Sequence, residues 1–133
     1  MNKTEVSFRL VIVETPYNAD TQDGIERNLR YLRACLHDCT RKNEAPFASH
    51  AIFTQPGVLN DRDPTERKLG IAAGLAWKNV AHATVVYTDL GISPGMAYGI
   101  QYAQDRGQPV EFRTLGDGWD IVTGDLATSR WGR

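Results

Sequence analysis

The order of apolar segments along the chain predicts an α/β fold with a parallel sheet at its centre. Two nearly continuous apolar runs, residues 8–13 and 83–88, are typical of central parallel strands, because both faces of such strands are covered. Each run leads through a polar turn into a segment whose apolar residues recur at helical spacing. Right-handed crossovers then place helices on both sides of the sheet. We therefore expect a three-layer, flavodoxin-like, doubly wound parallel sheet of four to five strands.

The first helix is expected over residues 22–42, with a cap supplied by Asp20, Thr21 or Asp23. Its apolar stripe consists of Ile25, Leu29, Leu32, Cys35, Leu36 and Cys39. The short apolar stretch at residues 51–53 is expected to form a weak second strand.

A second helix is expected over residues 64–80, with Asp63 as its N-cap and Pro64 in its first turn. Gly70 and Gly74 lie four residues apart in it and would let the helix approach the sheet closely. Before it, residues 54–64 are rich in Pro, Gly, Asn and Asp and predict a long loop, which in a compact domain is more often functional than decorative.

A third helix is expected over residues 96–105, ended by Gly107, with a last strand over residues 109–113. We interpret residues 116–133 as a tail that packs on a sheet edge or on a partner subunit. The whole chain, residues 1–133, has the usual length of a single domain.

Composition excludes several classes of protein. The 15 basic and 16 acidic residues give a net charge of −1, so the basic excess of a duplex nucleic-acid binder is missing. The sequence has no leader-like start and no apolar run long enough for a membrane span, which predicts a cytoplasmic protein. Cys35 and Cys39 lie one helical turn apart without a Cys-x-x-Cys motif, and they are expected to be buried thiols rather than metal ligands.

Ligands of open α/β sheets bind beyond the carboxyl ends of the strands, so three loops are candidates: residues 14–20, 50–63 and 88–96. The last of these carries the strongest signal. Gly91 and Gly95 permit close backbone approach, Ser93 offers a hydroxyl, and the following helix start, including Met96, presents free amides. This combination suits an anion cradle, although Ser93 acting only as a helix cap remains an alternative.

The segment Ser93-Pro-Gly-Met-Ala-Tyr-Gly-Ile-Gln-Tyr-Ala, followed by Gly-Gln-Pro-Val at residues 107–110, resembles the nucleoside 2-deoxyribosyltransferase superfamily, which includes nucleoside 5′-monophosphate N-glycosidases. The first strand, ending in Thr-Pro-Tyr at residues 15–17, is similar to that family's base- and sugar-facing loop. Pro-Phe-Ala-Ser-His at 46–50 and the stretch 59–67 resemble an uncharacterised, phage-type branch. The resemblance implies a nucleotide or nucleoside ligand, no cofactor, and a homodimer or larger assembly.

One position departs from the family pattern. The nucleophilic Glu of those enzymes, six residues after the phosphate-side Ser, corresponds here to Gly99. A glycine cannot attack the anomeric carbon as that carboxylate does. If the pocket is inherited, we expect a Glu at position 99 to be tolerated by the helix and to install or raise the activity.

Another acid must then act, or the site only binds. Asp89, at the end of a strand, could be a nucleophile, a base for water or an acceptor for sugar hydroxyls. Asp61 and Asp63 could bind ligand or, less favourably, a metal. No metal site is predicted.

Three further side chains are candidates. His50 could protonate a leaving base or bind phosphate when charged, or simply bond a loop carbonyl. Arg67 could pair with phosphate or lie solvated on its helix. Tyr17 could stack on a base or pack in the loop.

Three hypotheses follow. The chain is an enzyme acting on the N-glycosidic bond with an altered catalytic acid, a non-catalytic nucleotide-binding or sequestering protein, or an interaction protein that docks through its tail.

Overall fold

The computed structural model describes residues 7–120 and confirms the α/β fold. Four parallel strands form one sheet in the order β2-β1-β3-β4. The elements are β1 (Arg9–Glu14), α1 (Gln22–Arg41), β2 (Glu44–Phe47), α2 (Ser49–Ile52), α3 (Pro64–Trp77), β3 (Ala83–Tyr87), α4 (Pro94–Asp105) and β4 (Val110–Arg113). From β1 the chain passes first to one side and then to the other, which is the doubly wound arrangement consistent with a flavodoxin-like fold.

Helix α1 covers one face of the sheet. Val11 and Val13 of β1 point to this face, and they pack with Val85 and with Tyr31 and Cys35 of the helix. All five residues are buried almost completely. The predicted stripe of α1 therefore forms the larger of the two apolar clusters.

The other face carries α3 and α4. Met96 and Ile100 of α4 pack on Val86 of β3. Trp77, at the end of α3, stacks on Phe47 of β2 with ring centroids 4.8 Å apart. Between these two contacts the face is left open, and this gap positions the site.

Helices α1 and α3 begin at capping residues that the sequence predicts. The Thr21 hydroxyl accepts a hydrogen bond from the Gly24 amide and caps α1. The Asp63 carboxylate accepts from the amides of Thr65 and Glu66 and caps α3, with Pro64 in the first turn. These caps satisfy amides that have no partner inside their helices.

The second strand is not where the sequence indicated. Residues 51–53, expected to be a strand, belong to the single turn of α2 and the turn after it, where the Phe53 amide donates to the Ser49 carbonyl at 2.8 Å. The strand is formed instead by Glu44–Phe47. An edge strand tolerates Pro46, and the buried charge of Glu44 is neutralised by Arg113 at 2.6 Å.

Gly70 and Gly74 of α3 allow a close approach to a different element from the one expected. A Cβ at Gly74 would lie 2.7 Å from the Cβ of Ser49, and one at Gly70 would lie 3.3 Å from a methyl group of Leu59. The close approach is therefore to α2 and its loop, not to the sheet.

Both cysteines are buried free thiols, as predicted. Burial raises the pKa of Cys39 to about 11, and its Sγ lies 3.3 Å from the Tyr87 hydroxyl. At the start of the predicted tail, Trp119 packs edge-on against Tyr31 at 4.9 Å. The remainder of that tail, residues 121–133, lies outside the described residues. Within residues 7–120, no helix combines the length and apolar character needed to cross a bilayer.

Candidate functional site

A cleft of about 730 Å³ opens between α3 and α4 at the carboxyl end of β1. Its location is the point where the strand order reverses, which is where ligands of doubly wound sheets bind. The last residues of β1 and the loop after it contribute Glu14, Thr15 and Tyr17. The walls come from one side of α3 and from the first turns of α4.

A buried ion pair lies at the base of this cleft. The Lys78 ammonium donates to the Glu14 carboxylate at 2.8 Å and to the Thr84 hydroxyl at 3.2 Å. The Lys78 side chain is only 2% exposed, and that of Glu14 is 16% exposed. Burial raises the pKa of the Glu14 carboxyl, and the Lys78 charge and hydrogen bond oppose that rise.

Further hydrogen bonds fix this pair in place. Thr84 donates to the side-chain carbonyl of Gln108, whose amide donates to the Lys78 carbonyl at 2.7 Å. Among the residues that the structure describes, no buried side-chain nitrogen or oxygen lacks a partner. The carboxylate is therefore held in a defined position rather than left mobile.

Gly99 lies directly against this carboxylate. A Cβ built on Gly99 would fall 2.8 Å from the Cδ of Glu14 and even closer to one carboxylate oxygen. The space that a side chain at position 99 would occupy is thus already filled by Glu14. A Glu at position 99 would therefore have to displace the Glu14 carboxylate, a cost that helix propensity does not include.

His50 reaches the cleft from α2. Its Nε2 lies 2.7 Å from the Thr15 hydroxyl, and its ring meets that of Tyr17 edge-on at 6.3 Å. Burial lowers the pKa of His50 to about 4. The imidazole is therefore neutral near pH 7, so a phosphate-binding role as a cation would require acidic conditions.

The start of α4 forms one end of the cleft. The Ser93 hydroxyl accepts from the Met96 amide at 3.2 Å, so the capping alternative is realised. Ser93, Gly95 and Met96 also line the cleft, and a Cβ on Gly95 would meet nothing within 4 Å. Gly91 adopts a φ of +87° in the preceding turn and does not line the cleft.

Of the three charged candidates near α3, Asp61 and Arg67 line the cleft and Asp63 does not. Arg67 pairs with Asp61 at 2.8 Å, and its side chain is 41% exposed. Asp63 is engaged in capping the helix and lies outside the cleft. Within residues 7–120, no group of three or more His, Cys, Asp or Glu side chains could hold a metal.

The structure does not bring Asp89 into the cleft. Its carboxylate accepts hydrogen bonds from the Tyr31 hydroxyl at 2.6 Å and from the amides of Leu115 and Gly116 at 2.9 and 3.0 Å. Burial disfavours ionisation, but these hydrogen bonds outweigh it and lower the pKa of Asp89. The side chain thus ties the chain after β4 to α1, and this position does not support a catalytic role.

Sequence reasoning did not single out Glu14 or Lys78. A charged residue closing an otherwise apolar strand, at the functional edge of the sheet, was a signal for Glu14. Lys78 gave none, because a lysine at the end of a helix is usually solvated.

No curated protein matches the sequence. One family model, described as "Domain of unknown function (DUF7768)", matches residues 9–113. That range begins with β1 and ends with β4, and it contains every residue of the cleft described above. The chain therefore belongs to the DUF7768 family.

Proposed function

We propose that the cleft binds a nucleoside or nucleotide and that the protein acts on the N-glycosidic bond of this ligand, by hydrolysis or deoxyribosyl transfer. The observation that carries the proposal is the meeting of Tyr17, Ser93 and Gly99 in one cleft. These three positions come from separate parts of the chain, and the sequence resemblance assigns them to base, phosphate and sugar respectively. The sheet topology brings the loops after β1 and β3 to one edge, and the resemblance gives each of these positions a role there.

The chemistry of the walls suits such a ligand. Phe53, Leu59 and Ile71 supply apolar surface for a base, and Tyr17 supplies an aromatic ring that can stack on it. The first turn of α4 supplies partial positive charge for an anionic group. Lys68, on the cleft wall, adds a full positive charge.

A non-catalytic, sequestering protein is the second candidate. It is favoured by one observation: Asp89, the acid that the sequence offered for catalysis, is engaged away from the cleft. If no other acid acts, the site binds its ligand without reacting.

For either function, the two free buried thiols fit a protein that works in the reducing cytoplasm.

A panel of nucleosides and nucleoside 5′-monophosphates, in both ribo and deoxy forms, separates these functions. Thermal unfolding is recorded with each compound, and the solution is analysed for free base. Binding raises the stability by about 2.7 kcal/mol at a hundredfold excess over Kd. A shift with free base supports the enzyme, and a shift without base supports the sequestering protein.

Ser93→Leu is the matched control for the panel, because its larger side chain would obstruct the α4 end of the cleft. It should abolish the thermal shift while circular dichroism shows a folded protein. If no compound shifts the wild type, or if Ser93→Leu responds as the wild type does, the proposed site is wrong.

A further inference from the structure

We infer that Glu14, at the end of the first strand, is the catalytic carboxylate of this site in place of the helix carboxylate that the resemblance implies, and that Lys78 is the residue that positions it. This inference rests on the proposed function. Asp61 and Glu66 also line the cleft, but Asp61 pairs with Arg67 at 2.8 Å and Glu66 accepts from the Asn60 amide at 2.7 Å near the loop. Glu14 alone of these three lies against Gly99.

The contact between Gly99 and Glu14 is the first argument. By the resemblance, a side chain at position 99 would carry the nucleophilic carboxylate. The Glu14 carboxylate fills the volume next to that backbone, with its Cδ 2.8 Å from the place of a Cβ at Gly99. The Glu14 carboxylate therefore occupies the place beside the α4 backbone where, by the resemblance, the side chain of the nucleophile would begin.

The buried ion pair between Glu14 and Lys78 is costly to form, which indicates that it serves a purpose other than stability. Taking two charges out of water costs several kcal/mol for each ion, and well-packed apolar residues are often at least as stabilising. The pair also stands at the open cleft rather than deep in the core, since the Glu14 side chain keeps 16% of its surface exposed. A carboxylate that is desolvated, anchored and yet accessible from the cleft is suited to nucleophilic attack.

The reaction can be written with all atoms accounted for. A Glu14 oxygen attacks C1′ of the sugar, and the C1′–N bond breaks as the C1′–O bond forms. The base leaves with the electron pair of the broken bond and takes up a proton from solvent. Water then attacks C1′, the bond to Glu14 breaks, and a proton returns to solvent. The sum is hydrolysis of the N-glycosidic bond.

Lys78 acts through Glu14. Its ammonium fixes one carboxylate oxygen at 2.8 Å and favours the ionised form that attacks. The other titratable side chains around the cleft are Tyr17, His50, Asp61, Glu66, Arg67, Lys68 and Tyr98. Among these, His50 is directed to Thr15, and Asp61 and Arg67 neutralise each other. Lys78 is the partner that most directly governs the charge of Glu14.

The test compares base release by the wild type, Glu14→Gln and Lys78→Met, with the eight ribo- and deoxynucleoside 5′-monophosphates as probes. Glu14→Gln should lower kcat/KM by roughly 100-fold or more, as expected for loss of the reacting group. Asp105→Asn, on the exposed end of α4, is the control and should leave it unchanged. Lys78→Met should shift the acidic limb of the kcat/KM profile to higher pH, which a purely structural role would not do.

If Glu14→Gln does not fold, Glu14→Asp is tested in its place. The Asp side chain keeps the negative charge but is one methylene shorter, so this variant should also lose turnover. Base release by Glu14→Gln, or by Glu14→Asp, at the wild-type rate overturns the assignment of Glu14 alone. An unshifted acidic limb in Lys78→Met overturns the role of Lys78. A wild type that releases no base from any of the eight probes or from the corresponding nucleosides overturns the proposed reaction itself, and the assignment with it.

Discussion

Gly99→Ala tests the close contact on which the account depends. An added Cβ would lie 2.8 Å from the Cδ of Glu14 and closer still to one of its oxygens, whereas ordinary contacts begin near 3.4 Å. The carboxylate must therefore move, and the 2.8 Å bond from Lys78 is lost or distorted. Both side chains are largely buried, so the displaced charges are not well solvated.

The expected change in unfolding free energy is the difference between two opposing contributions. Removing one partner of a buried ion pair costs about 3 kcal/mol at the low end of its usual range, and we take this as the largest cost of displacing the Glu14 carboxylate from the buried Lys78 ammonium. Replacing glycine by alanine inside a helix returns about 1 kcal/mol. We therefore expect Gly99→Ala to lose up to about 2 kcal/mol of unfolding free energy, which for a domain of this size lowers Tm by up to roughly 7 °C.

Urea unfolding followed by circular dichroism at neutral pH measures this difference. Gly95→Ala in the same helix is the matched control, because a Cβ there meets nothing within 4 Å, and it should be neutral or slightly stabilising. In a Glu14→Ala background, Gly99→Ala should no longer destabilise. A Gly99→Ala protein as stable as the wild type would refute the reasoning.

Three further predictions concern other parts of the molecule. Burial lowers the pKa of His50 to about 4 from its ordinary value of 6.5, so between these pH values the folded chain binds fewer protons than the unfolded chain. Relative to His50→Gln, the wild type should therefore lose unfolding free energy as the pH falls from 6.5 towards 4. Parallel pH profiles of the two proteins would contradict this. Asp89→Ala removes the acceptor of hydrogen bonds from three donors and should lower the unfolding free energy by about 2 kcal/mol, as measured by urea unfolding. An unchanged urea midpoint would disprove this. We also expect a homodimer or larger assembly, because Tyr98 and Ile71 leave 60% and 42% of their surface exposed at the cleft; a monomer by light scattering at tens of micromolar would end this idea.

The fold could be predicted well because its signals are local. The apolar runs of β1 and β3 and the cap Asp63 depend on neighbours in sequence, and all three appear as expected. Ser93 caps α4, which was the alternative to an anion cradle. The edge strand β2 was missed because its stability comes from distant residues. Glu44 is tolerated there through an ion pair with Arg113, sixty-nine positions away.

The site was only partly predictable for the same reason. The edge of the sheet and the loop ending at Ser93 follow from topology, and His50 was found although its secondary structure was not. The pairing of Glu14 with Lys78 spans 64 positions, and no spacing in the sequence indicates it. The orientation of Asp89 could not be predicted, because a strand-end carboxylate can turn to either face, and here it turns toward Tyr31 of α1.

The most direct test of the account is to map where a nucleotide binds. Amide and side-chain NMR shifts are recorded for the protein with each of the eight nucleoside 5′-monophosphates. At least one of these nucleotides should perturb the signals of Tyr17, Gly95 and Gly99 together, with Glu14 affected and Asp89 unchanged. Perturbations confined to the α1 side around Tyr31 and Asp89, or none with any of the eight, would contradict it.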